Sequence, residues 1–208
     1  MKRRDILIGC ACCGLAGAAG LMKWNSEPRH YCGVEDKQKT LAYSATFGKD
    51  KWGKKHLLYH INGRDTGEMT ADVWDAEFRL AFAAWSEVSP MTFEQTDEGH
   101  DADIMIDVSR RKRSGFGRSG GVLAWAQLPP AKNFNGTLWS VFDLAESWSL
   151  PNEGEIVLRA VACHEIGHLL GLSHSKDPNA LMFPYVNGAI KPMTDDIMEI
   201  QRLYGKRA

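Results

Sequence analysis

Between Thr70 and Val88 the apolar residues fall at Val73, Trp74, Phe78, Ala81, Trp85 and Val88. Such spacing lines one face of a helix, with Thr70 or Asp72 placed to cap its start. Elsewhere the pattern shortens. "HLLYHIN", His56 to Asn62, reads as a strand, and "DIMIDV", Asp103 to Val108, alternates apolar and polar positions as a half-buried strand does. "SPMTF" turns into a short strand, and "GVLAWAQL" (Gly121 to Leu128) and "LWSVFD" (Leu138 to Asp143) are two more. A second helix is expected from about Glu153 to Leu170. A third should run from about Thr194 to Tyr204, where Asp195 and Asp196 complement the positive end of the helix dipole. Strands interleaved with helices describe one mixed α/β domain of roughly 160 to 180 residues.

The first residues follow another pattern. "MKRRD" is basic, and Ile6 to Met22 carries no charge. This reads as a secretory signal peptide, with "AGAAG" offering cleavage after Ala18. The apolar run is also at the lower length limit for a membrane span, so an uncleaved anchor is the alternative. Arg3-Arg4 fits twin-arginine export, and with it a bacterial source. "LIGC" at Leu7 to Cys10 is similar to a lipoprotein cleavage box. The chain thus divides into 1–24, a signal peptide or N-terminal anchor; 25–48, a polar N-terminal arm; and 49–208, the folded domain. The expected location is secreted or periplasmic, or membrane-anchored by the N-terminus.

Composition narrows the partners. The 208 residues are 44% hydrophobic and 25% charged, with a net charge of −1. No global field suggests nucleic acid or an anionic membrane surface. Expected partners are proteins or peptides, with no nucleic acid and with membrane contact only through an uncleaved N-terminus; the chain itself is expected to be monomeric. Three of the five cysteines, Cys10, Cys12 and Cys13, lie in the leader, and Cys32 and Cys163 alone are too few for a disulfide framework.

The chemistry sits in "VACHEIGHLLGLSHS". His164 and His168 are one turn apart on one helix face. Gly171 can take a left-handed conformation and turn the chain, so that His174 swings back as a third ligand. Three histidines leave one position of a tetrahedral zinc open, as a catalytic site requires. Glu165 lies beside them as a general base for a water molecule. A helix with incidental histidines is the plain alternative. The full pattern H-E-x-x-H-x-x-G-x-x-H should arise by chance in under about one chain in ten thousand of this length, given average residue usage.

At these residues the chain resembles the metzincin metallopeptidases, and within them the matrixins. Ser175 after the third histidine is the matrixin form, and "ALMFPYV" resembles the Met-turn, with Met182 as the methionine beneath the zinc. "FAAWSEVSPMTFEQ", "ADIMIDV" and "TDDIMEIQRLYG" also resemble matrixin segments, so the likeness runs from about Cys32 to the C-terminus. It implies an α/β (α+β) catalytic domain: a twisted, mostly parallel five-stranded sheet with an antiparallel edge strand and about three helices. It implies a zinc endopeptidase in which Glu165 takes a proton from the attacking water. Pro184, Tyr185 and Val186 would wall the S1′ pocket, Val186 standing where the family usually has Tyr. Ala160 falls where the family sets the pocket's depth, and its small side chain implies an open pocket for large apolar residues. "GVLAWAQL" would be the edge strand to which substrate adds as an antiparallel strand.

The departures carry expectations of their own. At the family's second, structural zinc this chain has Arg113, Gly115, Trp125 and Val141, which do not ligate zinc in the expected way, so one zinc is expected. The basic loop "RRKRSGFGR" replaces that segment. It reads as solvated, with a preference for acidic substrates as the alternative. Asp143 and Glu146 match a pair that binds structural calcium, making Ca²⁺ a second candidate ion. "PRHYCGVED" resembles the proenzyme motif P-R-C-G-x-P-D, with two residues inserted before the cysteine and Glu35 in place of Pro. Cys32 is then a candidate cap on the zinc, keeping the enzyme latent; a free loop thiol or a bond to Cys163 are the alternatives. A catalytically silent, zinc-holding peptide-binding module is the rival function, which an intact Glu165 disfavours.

Overall fold

Ile104, Ile106 and Val108 are buried, and Asp107 between them is only partly so. The alternation seen in the sequence is thus the alternation of a pleated strand, β3, at the centre of a sheet. The structure is a computed structural model and describes residues 31–33, 50–63, 69–109, 116 and 121–208. The 1–24 leader and most of the 25–48 arm lie outside the described residues. The elements, in chain order, are β1 (His56–Asn62), α1 (Ala71–Val88), β2 (Thr92–Gln95), β3 (Ile104–Ser109), β4 (Ala124–Ala126), β5 (Leu138–Asp143), α2 (Leu158–Leu169) and α3 (Thr194–Tyr204), with a short 3₁₀ turn at Gly99–Asp101 before β3. The sheet order is β2-β1-β3-β5-β4. Every pairing is parallel except β4 with β5, so β4 is an antiparallel edge, as expected.

Helices α1 and α2 cover one face of the sheet. α1 turns Trp74, Phe78, Phe82 and Trp85 inward. Trp74 and Phe78 meet Phe142 of β5 edge-on, and Trp148 closes the group. α2 is buried almost all round, as a helix lodged between layers must be. Two polar ties fix it to α1. The Trp85 indole donates to the Cys163 carbonyl at 2.8 Å, and Arg159 grips Glu77 through two bonds of 2.8 and 2.9 Å. Glu77 is only 5% exposed, so this ion pair is held in a largely dry setting.

Two element boundaries differ from the sequence reading. α2 begins at Leu158, not near Glu153. The preceding residues fold back on Ser149 instead: Ser149 bridges Val157, its amide and hydroxyl both donate to the Ile156 carbonyl, and Leu158 donates to the Ser149 carbonyl. The strand expected over Gly121–Leu128 is ladder-paired with β5 only at Ala124–Ala126; on its other edge Gly121, Leu123 and Ala124 bond Tyr31 and Gly33 of the N-terminal arm. Among the described residues no helix is long and apolar enough to cross a membrane.

Candidate metal centre

His164 and His168 project from one face of α2, as their spacing predicts. α2 stops at Leu169, and Gly171 takes φ +99°, where a side chain is strained and where a Cβ would lie 2.6 Å from the Asp50 carbonyl oxygen. The turn there brings His174 back beside the other two imidazoles, with ring centroids 5.4 and 4.8 Å away. The protonation of two rings follows from their far nitrogens. His164 Nδ1 donates to the Leu181 carbonyl at 2.7 Å, and His168 Nδ1 donates to the Leu172 carbonyl at 2.8 Å. Each Nε2 is then an acceptor, and the two sit 3.1 Å apart.

Two lone pairs aimed at each other across that gap repel unless a cation sits between them. Two zinc–nitrogen bonds of about 2.05 Å at a tetrahedral angle separate the nitrogens by roughly 3.3 Å. The gap therefore fits shared ligation. The thiol of Cys32 lies 3.5 Å from His168 Nε2, and the four ligand atoms of Cys32, His164, His168 and His174 lie within 4.8 Å of one another. Three imidazoles and a thiol are a donor set suited to zinc. Burial keeps the rings neutral and ready to ligate: it pushes His164 down to about 3 and His168 well below its usual range, nearby histidines adding to both effects.

Glu165 is 1% exposed, and burial raises its pKa to about 8, with the Cys32 thiol pulling it part of the way back. Among the described residues neither carboxylate oxygen has a hydrogen bond of ordinary geometry. A costly group of this kind, sealed beside a metal-ready cluster, marks a functional position. Met182, 1% exposed, packs under the helix. A Cβ on Gly167 would meet its sulfur at 2.4 Å and the Trp85 ring at 2.9 Å, which accounts for a glycine inside α2.

Asp196 ties this floor together. Its two oxygens accept from the amides of Leu181 (2.8 Å), Met182 (3.0 Å) and Met193 (2.8 Å). Leu181 is the residue whose carbonyl orients His164. Sequence reasoning saw Asp196 only as a helix-dipole partner. The roles of Asp196 and Gly167 depend on residues distant in the chain, and the only local signal was an acidic pair opening α3.

In front of the histidines runs a cleft. One wall is the edge formed by Gly121 to Ala124; the other is the segment around Pro184 and Tyr185. Tyr31 to Gly33 lies between them, bridging Val122 in parallel and Tyr185 in antiparallel sense. Ala160, Leu181, Pro184, Tyr185 and Val186, together with Tyr31, line an apolar cavity of about 40 Å³ beside Glu165. The predicted pocket residues thus come together at one place.

Other predicted residues lie elsewhere. Asp143, at the end of β5, is fully buried and Glu146 is 2% exposed. Asp143 accepts from the Ala145 amide and Glu146 from the Gly121 amide. Among the described residues no third carboxylate, histidine or cysteine joins them in a ligand group. Trp125 and Val141 face each other across β4 and β5 and pack with Phe116 and Val122 as a small apolar cluster. Arg113 and Gly115 lie outside the described residues. Cys163 is buried, its thiol against the Ala81 carbonyl, and it forms no disulfide with Cys32.

Comparison with known proteins agrees with this geometry. Residues 51–205 match the family model of the matrixin peptidases. The chain is 41% identical over 184 residues to an interstitial collagenase of Equus caballus, covering 86% of this chain and 37% of that protein. It is 39% identical to stromelysin-1 of Equus caballus over 84% of this chain and 36% of that one, and 37% identical to matrix metalloproteinase-19 of Homo sapiens over 88% and 35%. The chain therefore spans little more than a third of the length of these relatives. With the matched segment holding the whole histidine cluster, its floor and its cleft, the chain belongs to the matrixin family of zinc metalloendopeptidases.

Proposed function

We propose that this chain hydrolyses internal peptide bonds of protein or peptide substrates, with His164, His168 and His174 as the zinc ligands and Glu165 as the general base. The observation that carries the reading is the pair of Nε2 acceptors 3.1 Å apart next to a buried carboxylate. Zinc held there supplies a Lewis acid that polarises the scissile carbonyl and acidifies a water molecule. Everything else falls to the chain. The carbonyls of Leu172 and Leu181 hold the imidazoles in the ligating tautomer. Glu165 accepts the proton of the attacking water and passes it to the leaving amine. The strand edge at Ala124–Ala126 offers main-chain partners to an extended substrate, which gives affinity with little dependence on sequence. Ala160, Pro184, Tyr185 and Val186 shape the pocket that receives the side chain after the scissile bond. One zinc per chain is expected, with Asp143 and Glu146 as the place for a structural calcium.

Latency by Cys32 belongs to the same reading. A thiolate is a good fourth zinc ligand, and one placed 3.5 Å from His168 Nε2 stands where the water must sit. Secretion or surface anchoring rests on the leader sequence. The direct test is Glu165→Gln, assayed on a denatured protein substrate after activation. Cleavage should fall by about 10² to 10⁴-fold with zinc content unchanged. Near-full activity in that variant would overturn the assignment.

A further inference from the structure

Three consecutive residues of the arm, Tyr31 to Gly33, make four main-chain hydrogen bonds to the two walls of the cleft. Tyr31 donates to the Gly121 carbonyl (3.4 Å) and accepts from the Leu123 amide (3.1 Å); Cys32 donates to Pro184 (3.0 Å) and Gly33 to Ala124 (2.8 Å). Gly33 fits because it has no side chain: a Cβ would lie 2.5 Å from Val122 Cγ1. The Tyr31 side chain lines the apolar cavity with Ala160, Val161 and Tyr185, and its ring stands 6.4 Å from that of Tyr185 at 59°. None of these contacts involves the histidines. The thiol is one hold on the cleft, and the Tyr31 strand is another.

We infer that Tyr31 is a blocking residue in its own right: its ring and main chain hold the arm across the substrate cleft without help from the metal. The ligand class of this site is a short extended peptide presenting an aromatic residue directly before Cys32 and Gly33. The inference rests on the latency reading but separates from it. If Cys32 were the only restraint, replacing it would free the cleft completely. With Tyr31 in place, the arm instead stays as an intramolecular competitor, which raises apparent KM and leaves kcat alone.

The test uses the full chain in four forms: wild type, Cys32→Ser, Tyr31→Ala and the double variant. The Cys32→Ser chain should show an apparent KM roughly tenfold above that of the double variant at equal kcat, the size expected for unseating a partly buried aromatic ring. Gly33→Ala in the Cys32→Ser background should lower KM as Tyr31→Ala does, by lifting the same strand. Equal KM for Cys32→Ser and the double variant would overturn the inference. A second readout needs no turnover. In zinc-stripped chains, the Leu123 and Gly33 amides should stay protected from hydrogen exchange in wild type and Cys32→Ser, and lose protection in Tyr31→Ala. Loss of protection on removing zinc alone would show that the metal, not Tyr31, holds the arm. A wild type as active as Cys32→Ser would overturn latency by the thiol, while the exchange data would still decide the role of Tyr31.

Discussion

The floor of the cleft and the strand that lies across its mouth are built from opposite materials. The floor is dry. His168 is fully buried, Glu165 and Met182 are 1% exposed, and the rings of His164 and His168 are fixed by the carbonyls of Leu181 and Leu172, with Leu181 held in turn by the carboxylate of Asp196. The mouth is half wet. Tyr31 is 40% exposed and the arm is held by its backbone, with one thiol reaching inward. The floor sets the chemistry and tolerates little change. The mouth sets access and should be removable without harm to the fold, because a few exposed main-chain bonds contribute little to global stability.

The largest break in this contrast is His168→Ala. It deletes a ligand and leaves two, so zinc affinity should fall by several orders of magnitude and cleavage should vanish; metal content after dialysis and a peptide assay check both. Next is Asp196→Asn. An amide nitrogen would face one of the three buried N–H donors now accepted by the carboxylate, at a cost of about 1–3 kcal/mol, and zinc release to a chelator should speed up because Leu181 loosens. Gly167→Ala is of similar size. Its Cβ pushes Met182 and Trp85 aside, for about 1–3 kcal/mol in denaturant unfolding, with a larger loss of activity than its stability cost alone would give. The smallest effect on stability should come from Cys32→Ala at the mouth, within about 0.5 kcal/mol, although it should raise the activity of the unprocessed chain.

The sequence carried the floor better than the mouth, for a physical reason. Metal ligation depends on residue type at fixed local spacing, so His164, His168, Gly171 and His174 announce the site within eleven residues. The sheet was equally legible where one strand face is buried, as at Ile104, Ile106 and Val108. What spacing does not carry is pairing across the chain. The early start expected for α2 failed because residues after Ser149 pair back on it, a competition with no periodic signature. Asp196 looked like one acid of a helix opening, since its three amide partners are contributed by the Met-turn and the residue before α3. The place of Tyr31 was hidden for the same reason: a tyrosine in a polar arm gives no hint of the two walls it bridges. Trp125 and Val141 read as strand residues that do not ligate a second zinc, and their packing with Phe116 and Val122 came from the fold.

The proposed function puts the cutting at a buried zinc centre and the closure in a separate strip of chain. The most direct measurement compares full-length wild type with Cys32→Ala, matched for zinc content, in cleavage of a denatured protein. The expected result is one zinc per chain in both, low cleavage in wild type, clearly higher cleavage in the variant, and none in either with chelator. Equal cleavage by the two chains would contradict the separation of floor and mouth, and zinc held by both without any cleavage would contradict the peptidase itself.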